Sequence, residues 1–455
     1  MMKGRRVGIV DMTALTSLGD LNQTWNNLIA GKSGISRIEE SYLSRFNMNG
    51  PVVLCEDGSP QLTRVPYAVD DFKCQIAGQV KNVPIKIDIK DRESLAIIEV
   101  PGILGPKDIR RLDRFCHLAI PPLKQLNKDI INLFKPERVG VIAGSGTGGI
   151  ISKEEGIDVL HTRGPNRVGP FHVPAGIINT LSFVVSDIFK VTGPNLATVT
   201  ACASSLHATI AAYDKIVLGR IDACIVVGSE ASIGPEGIAA FSNAGALSFR
   251  NDEPEKASRP FDIDRNGFVM SEGAEALFLV AIEAAERLGI PILTEIVGVG
   301  ETGDAHNLTE PHPEGLGAAA AMQNAITMAD INPKQVGYIN THGTSTDLGD
   351  VAEIKAIKRV FEHHAQNLYV SSTKSCTGHL LGAAGALELA LCVKVLETNV
   401  IPPTINLDNI DPRCEGVRHI PNTAIEAERK IIYTMTNSFG FGGHNASVLV
   451  KKYKN

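Results

Sequence analysis

Cys202, His342 and His379 are the residues of this chain whose types and settings suit joint chemistry. Cys202 lies between the strand-like run Leu-Ala-Thr-Val-Thr (196–200) and a predicted helix from about Ser204 to Leu218, which puts its thiol at a sharp turn beside the first helical turn. Unpaired N–H groups and the helix dipole at such a turn favour a thiolate. The small neighbours Ala201, Ala203, Ser204 and Ser205 leave room for a reacting group, the setting of a nucleophile elbow. A lone cysteine is more often a buried structural thiol, so the reading depends on its company. His342 follows a strand in Asn-Thr-His-Gly-Thr-Ser-Thr, and His379 opens a helix in Lys-Ser-Cys-Thr-Gly-His-Leu-Leu-Gly-Ala-Ala-Gly. Either histidine alone would read as a hydrogen-bonded loop residue; two, in equivalent strand–loop–helix positions facing one thiol, form a constellation.

Zinc is the competing idea. The spacing fits neither an HExxH helix nor a Cys/His finger, and no nearby carboxylate completes a ligand set, so no metal is expected. The segment Thr436-Asn-Ser-Phe-Gly-Phe-Gly-Gly-His-Asn is a Gly-rich loop before the last predicted strand, and its backbone can approach a ligand closely. It lacks the Lys-Ser/Thr of a P-loop, so an oxyanion-binding loop fits better than a phosphate cradle.

The elements that must position these residues are an alternation of strands and helices. Apolar runs at Val139–Ala143, Ala197–Thr200, Ala223–Val227, Gly337–Asn340, Leu368–Ser371, Ile431–Met435 and Ser447–Val450 alternate with Ala-rich stretches, which predicts βαβ units and largely parallel sheets. Two internal echoes sharpen this. Lys-Pro-Glu-Arg-Val-Gly-Val-Ile-Ala-Gly-Ser-Gly-Thr (135–147) resembles Asn-Pro-Lys-Gln-Val-Gly-Tyr-Ile-Asn-Thr-His-Gly-Thr (332–344), and Thr200-Ala-Cys-Ala-Ser-Ser-Leu resembles Lys374-Ser-Cys-Thr-Gly-His-Leu. Two duplicated βαβ-rich halves facing one another would gather the loops after equivalent strands around one cleft. The polar stretch within 251–265 suggests the division: 1–255 carrying the nucleophile and 256–455 carrying both histidines. Residues 45–110 have no echo and read as an insertion that caps the core or meets a partner.

Composition sets the outer limits. The 455 residues are 44% hydrophobic and 21% charged with a net charge of -6, an ordinary globular balance that offers no global attraction to nucleic acid or anionic membrane. The eight cysteines (Cys55, Cys74, Cys116, Cys202, Cys224, Cys376, Cys392, Cys414) form no CxxC pair, which favours free thiols in a reducing compartment. Neither a signal peptide nor a run long enough to insert in a membrane is evident, so a cytoplasmic location is expected.

The motifs together resemble the elongating β-ketoacyl-acyl-carrier-protein synthases, thiolase-fold condensing enzymes. The resemblance rests on TACASS (200–205), RPFDIDRNGFVMSEGA (259–274), NTHGTST (340–346), STKSCTGHLLGAAGALE (372–388) and NSFGFGGHN (437–445), and runs over about 3–40 and 107–450. It implies a layered α-β-α-β-α architecture. It implies that Cys202 takes an acyl group from a carrier-protein thioester, and that a malonyl thioester loses carbon dioxide to an enolate that attacks it. His342 and His379 then donate to the enolate oxygen, and the N–H groups of Cys202 and Phe441 hold the tetrahedral oxyanion. Phe441 and Phe439 gate the cleft, Lys374 pairs with Glu388 near His379, and Thr344 and Thr346 meet the phosphopantetheine arm. For Lys374–Glu388 a purely structural ion pair stands as the alternative, and for the two threonines a turn cap.

By the same resemblance Lys107, Arg110 and Arg111 form a basic patch for the acidic acyl carrier protein, with a solvated helix face as the alternative. A homodimer is implied, with Leu196–Thr200 contributing, and no cofactor is needed beyond substrates carried on phosphopantetheine. Thr147 stands where typical members carry a larger apolar residue lining the acyl tunnel, and Asn266 and Ser271 also depart from the usual pattern. These departures bear on the substrate, fatty acid or specialised lipid or polyketide, more than on the reaction. A coenzyme A thiolase and a non-catalytic chain-length-factor-like subunit are the rival readings.

Overall fold

The computed structural model describes residues 5–43, 52–54, 60–62, 67–85 and 91–454. Five strands build a first unit: β1 (Val7–Thr16), β2 (Val139–Gly144), β3 (Asn195–Thr198), β4 (Ala223–Glu230) and β5 (Gly273–Ala281). Five more build a second: β6 (Thr294–Gly303), β7 (Val336–Asn340), β8 (Tyr369–Ser371), β9 (Tyr433–Gly440) and β10 (His444–Lys452). In the first unit β2 pairs parallel with β3 and β4, and β5 runs antiparallel between β4 and β1. The second repeats the pattern strand for strand: β7 is parallel to β8 and β9, and β10 runs antiparallel between β9 and β6. Both echoes in the sequence therefore mark equivalent positions, β2 with β7 and β3 with β8. The two units share one continuous sheet through a short antiparallel ladder between β1 and β6, from Val7↔Ile296 to Ile9↔Thr294.

Six helices complete the layers: α1 (Arg114–Gln125), α2 (Asn179–Phe189), α3 (Ser204–Val217), α4 (Leu316–Met328), α5 (Asp347–Phe361) and α6 (Ala384–Thr398). Helices α1 and α2 pack on the first unit, and α4, backed by α5, packs on the second; α3 and α6 touch each other and strands of both units. This is the expected α-β-α-β-α stack. Its middle layer is dry: twelve residues of α6, from Ala384 to Leu396, are buried, as befits a helix apolar on nearly every side. Gly144 ends β2 where a Cβ would come within 2.6 Å of the Ser205 Cα, so its bareness lets the first turn of α3 seat against the strand end. That contact sets Cys202 at the seam. No helix among the described residues is long and apolar enough to cross a membrane.

Three expectations need revision. The sheet is mixed rather than largely parallel, because β5 and β10 each run against their neighbours and β1 against β6. The division between the units falls between Ala281 and Thr294 rather than near 251–265, because β5 lies between β4 and β1. The stretch around 251–265 is not simply a surface connection: Ser258, Arg259, Phe261, Asp262 and Arg265 are buried, and Arg265 reaches Asp411 at 2.8 Å. Residues 251–256 are largely exposed, as expected, while the buried polar groups beyond them are paired internally.

The described part of the insertion is tied to the core. Ile76–Gly78 pairs with Ile35–Arg37, and Ser271 Oγ donates to the Gly78 carbonyl at 2.9 Å. Arg114 clamps Glu272 with two bonds of 2.6 and 2.7 Å, and the Tyr42 hydroxyl donates to the same carboxylate. Cys55 and the remainder of the insertion lie outside the described residues.

Candidate active site

The turn between β3 and α3 is a strained elbow: Ala201 adopts φ +48°, a region costly for a residue with a Cβ, and Cys202 follows it directly. The backbone N–H groups of Phe441 and of Cys202 itself point at the sulfur. The thiol nevertheless differs from the sequence expectation of a thiolate. Burial pushes it up to about 12, the Lys374 ammonium and those two N–H groups only partly offsetting this, and the Glu230 carboxylate adds to the rise. Burial therefore favours the protonated thiol, whose proton must leave for the sulfur to attack.

His342 stands in the loop after β7, held from behind by a carboxylate. Its N–H and that of Gly343 donate to Glu353 at 2.9 and 2.7 Å, and Asn437 Nδ2 donates to the same group at 3.1 Å. Burial raises the Glu353 carboxyl to about 7 despite these donors. His379 is fixed through its backbone, its N–H donating to the Val269 carbonyl at 2.8 Å and its carbonyl accepting from Ser271 N–H at 2.9 Å. It lies in a loop ahead of α6 rather than at the start of the helix. The two imidazoles meet edge-to-face at 5.3 Å, with Phe439 5.8 Å from His342 and Phe268 5.3 Å from His379. Cys202 Sγ and one ring nitrogen of each histidine lie within 4.8 Å of one another.

Among the described residues, neither ring nitrogen of His379 nor Nδ1 of His342 has a hydrogen-bond partner. Buried polar atoms are nearly always paired, so these nitrogens are set for a ligand. Burial first, and the Lys374 charge second, hold both imidazoles well below the usual histidine range, hence neutral. Neutral imidazoles can donate an N–H to a developing oxyanion. Lys374 Nζ donates to Glu388 Oε1, with both side chains almost fully buried. The spacing of the Cys-His-His group would admit a metal ion, but among the described residues no carboxylate completes a fourth ligand.

A cavity of about 330 Å³ opens onto Cys202, His342 and His379, with Thr344, Thr346 and Phe441 along its wall. The two threonine hydroxyls are 3.0 Å apart. Phe439 also lines it, and the Phe441 ring, 37% exposed, tilts against Phe241 at 6.4 Å. The loop beyond needs left-handed backbone at Gly442 and Gly443 (φ 83° and 73°), and Gly442 N–H donates to the Leu308 carbonyl at 2.7 Å.

The remaining predicted residues lie elsewhere. Thr147 is not on this cavity; its hydroxyl donates to Glu230 at 2.5 Å and contacts Ser232 Oγ at 2.7 Å. Lys107, Arg110 and Arg111 line a separate, more open groove of about 520 Å³, where the Arg111 guanidinium stacks 4.3 Å over Phe171. Sequence reasoning missed Glu353, Asn437 and Glu230. The one available signal was Glu353, an acid set among the apolar Ala352, Ile354, Ala356 and Ile357 of α5.

Known proteins match this arrangement along the whole chain. Residues 99–285 match the β-ketoacyl synthase N-terminal domain, and residues 293–408 match the C-terminal domain. The chain is 40% identical to 3-oxoacyl-[acyl-carrier-protein] synthase 2 of Coxiella burnetii, covering 99% of each, and 40% identical to that of Staphylococcus aureus (strain COL), covering 100% of each. A solved β-ketoacyl synthase from Burkholderia phymatum superposes with a TM-score of 0.82 at 29% identity over 99% of this chain and 100% of that one. A type II PKS ketosynthase complexed with its acyl-carrier protein gives 0.81 at 26% identity, again over 99% and 100%. With Cys202 on one half and the two imidazoles on the other, the chain belongs to the β-ketoacyl synthase family.

Proposed function

We propose that this protein condenses an acyl thioester with malonyl-acyl carrier protein, losing carbon dioxide and giving β-ketoacyl-acyl carrier protein. The observation that carries this is the convergence, within 4.8 Å, of the Cys202 sulfur with two histidines whose nitrogens face a cavity. In the first step the Cys202 sulfur attacks the acyl carbonyl, the thiol proton passing through the imidazole pair to the departing pantetheine sulfur. In the second, the malonyl C–CO₂ bond breaks and its electron pair forms an enolate whose oxygen accepts N–H bonds from His342 and His379. The enolate carbon attacks acyl-Cys202, and the N–H groups of Cys202 and Phe441 hold the tetrahedral oxyanion. Collapse expels the Cys202 thiolate, which regains a proton.

Thr344 and Thr346 hydrogen-bond the phosphopantetheine arm along the cavity wall, and Phe441 and Phe439 gate it. The exposed groups of Lys107, Arg110 and Arg111 receive the acidic carrier protein, an association that added salt weakens. Thr147, hydrogen-bonded to Glu230, bears on acyl chain length. The chain works as a homodimer through β3, whose outer edge is unpaired among the described residues and whose surroundings expose Leu196 and Val199 at 44% and 56%. Seven described cysteines are free thiols, in keeping with the reducing cytoplasm. The test is mass spectrometry of the purified protein after exposure to a panel of acyl carrier-protein thioesters. The expected result is a single acyl adduct on Cys202; no adduct from any thioester would sink the mechanism.

A further inference from the structure

Glu275 is an acid with no part in the steps above. It is completely buried in the middle of β5, and neither of its carboxyl oxygens completes a hydrogen bond of ordinary geometry among the described residues. The fold makes room for it. Its cross-strand partner on β4 is Gly228, where a Cβ would lie 1.7 Å from Glu275 Oε1 and 2.7 Å from the Ser205 Cβ. A side chain at 228 and the carboxyl at 275 are mutually exclusive, so the pocket over Gly228 is fitted to the acid and to Ser205. Ser205 is the group whose contact eases the Glu275 charge, while burial and the carboxylates of Glu388 on α6 and Glu230 on β4 oppose it.

Ser205 occupies a junction. Its Oγ accepts the Ala386 N–H at 3.0 Å, one of the first-turn N–H groups of α6 that no helical carbonyl can reach. With that oxygen engaged, the Ser205 hydroxyl proton is free to turn to the unpartnered Glu275 carboxyl, which borders the same space over Gly228. The chain Glu275–Ser205–Ala386 thus runs from β5 through α3 to α6 and crosses from one unit to the other. It meets α3 three residues after Cys202 and α6 seven residues after His379. Without Glu275 the Ser205 hydroxyl would turn back to the carbonyl four residues earlier, as serines in helices do. That carbonyl belongs to Ala201, the strained residue of the elbow, and the Ala386 N–H would lose its acceptor.

We propose that Glu275 is a positioning residue for the condensation: through Ser205 it fixes the spacing between the helix that follows Cys202 and the loop that carries His379. Acyl transfer needs only the thiol and its N–H donors, whereas condensation needs thiol and imidazoles in register. Small misplacements of reacting groups are costly to rate, so the two steps separate.

The experiment measures the two steps independently in the full-length protein: formation of acyl-Cys202 by mass spectrometry in a single turnover, and steady-state condensation with malonyl-acyl carrier protein. Glu275→Ala is expected to acylate within about two-fold of wild type and to condense roughly ten-fold more slowly. Glu275→Gln keeps an acceptor for the Ser205 hydroxyl and is expected to restore condensation to within about two-fold. Ser205→Ala should reproduce the Glu275→Ala split, and decides the matter should Glu275→Ala fail to fold. Wild-type rates on both steps in Glu275→Ala, an equal loss on both, or a Glu275→Gln no better than Glu275→Ala would each overturn the proposal. It rests on the condensing function proposed above, yet fails separately from it: absence of acyl-Cys202 in the wild type refutes that function, whereas an unsplit variant refutes only the role of Glu275.

Discussion

Replacing Lys374 with methionine separates an ion pair that holds the core together from one that shapes the reaction. Lys374 and Glu388 have side chains 1% and 2% exposed, and Glu388 Oε2 has no partner of its own among the described residues. Burial lifts the Glu388 carboxyl to about 7, and the ammonium is the chief influence restraining it. Taking away one member of a buried pair costs about 3 kcal/mol, because the survivor keeps its desolvation without its partner. Replacing both by apolar side chains removes that conflict, so Lys374→Met should lose about 3 kcal/mol in urea denaturation and the Lys374→Met/Glu388→Leu protein should recover most of it. Activity should not recover with stability. The ammonium is among the influences that keep His342 and His379 deprotonated and lower the Cys202 thiol. Without it the imidazoles titrate closer to their usual range, so the acid limb of condensation moves to higher pH in the single and the double variant. Alkylation of Cys202 by iodoacetamide at a fixed pH slows in both. A double variant whose pH profile and alkylation rate superpose on wild type would show the pair to be structural only.

Three further outcomes follow from the geometry. A Cβ at Gly440 would lie 2.6 Å from the Thr200 carbonyl and 3.1 Å from the Cys202 nitrogen, in the space an oxyanion would use, so Gly440→Ala should cut the acylation rate about 100-fold in a single-turnover assay. Asp411 accepts from Arg265 at 2.8 Å and from Arg413 at 2.7 Å, and these guanidiniums hold it below the usual carboxylate range. A depressed acid contributes stability above that range and loses it as the pH falls, so Asp411→Asn should cost ~2 kcal/mol at neutral pH, with the gap closing in acid denaturation series. Glu275 has the opposite sign: its carboxyl is raised by burial, so wild type loses stability as pH rises above the ordinary carboxylate range. The stability of Glu275→Gln relative to wild type should therefore climb with pH, by up to about 1.4 kcal/mol per unit, in thermal or urea unfolding.

The duplicated plan was legible because it is written locally: a strand, a small-residue loop and an Ala-rich helix recur in order, and the reactive residues sit in those loops. Three of the ten labelled strands escaped notice for physical reasons. The β5 sequence Gly-Ala-Glu-Ala-Leu-Phe-Leu-Val-Ala is rich in helix formers and is buried along its whole length, so it shows neither strand alternation nor strand propensity; its neighbours decide its state. β1 and β6 gain their identity from pairing with distant strands. The supporting groups were hidden in the same way. Glu353 serves the His342 loop from a helix, Asn437 from a strand 84 residues beyond Glu353, and Arg265 finds Asp411 146 residues away. Such partners are chosen by the folded arrangement, and no local pattern announces them. The raised Cys202 thiol was unreadable for a related reason: the dipole of its helix is a local property, while the burial that outweighs it is supplied by both units.

The equivalence of β3 with β8 places Cys376 where the second unit would carry its own nucleophile, at the same step of the echoed motif as Cys202. Cys376 faces the interior and is fully buried, as are Cys74, Cys116, Cys224, Cys392 and Cys414, leaving Cys202 as the only partly exposed thiol among the seven described. A bulky electrophile applied to the folded protein should therefore mark the described region once. Fluorophores or affinity handles can therefore be installed at Cys202 without removing any other described cysteine.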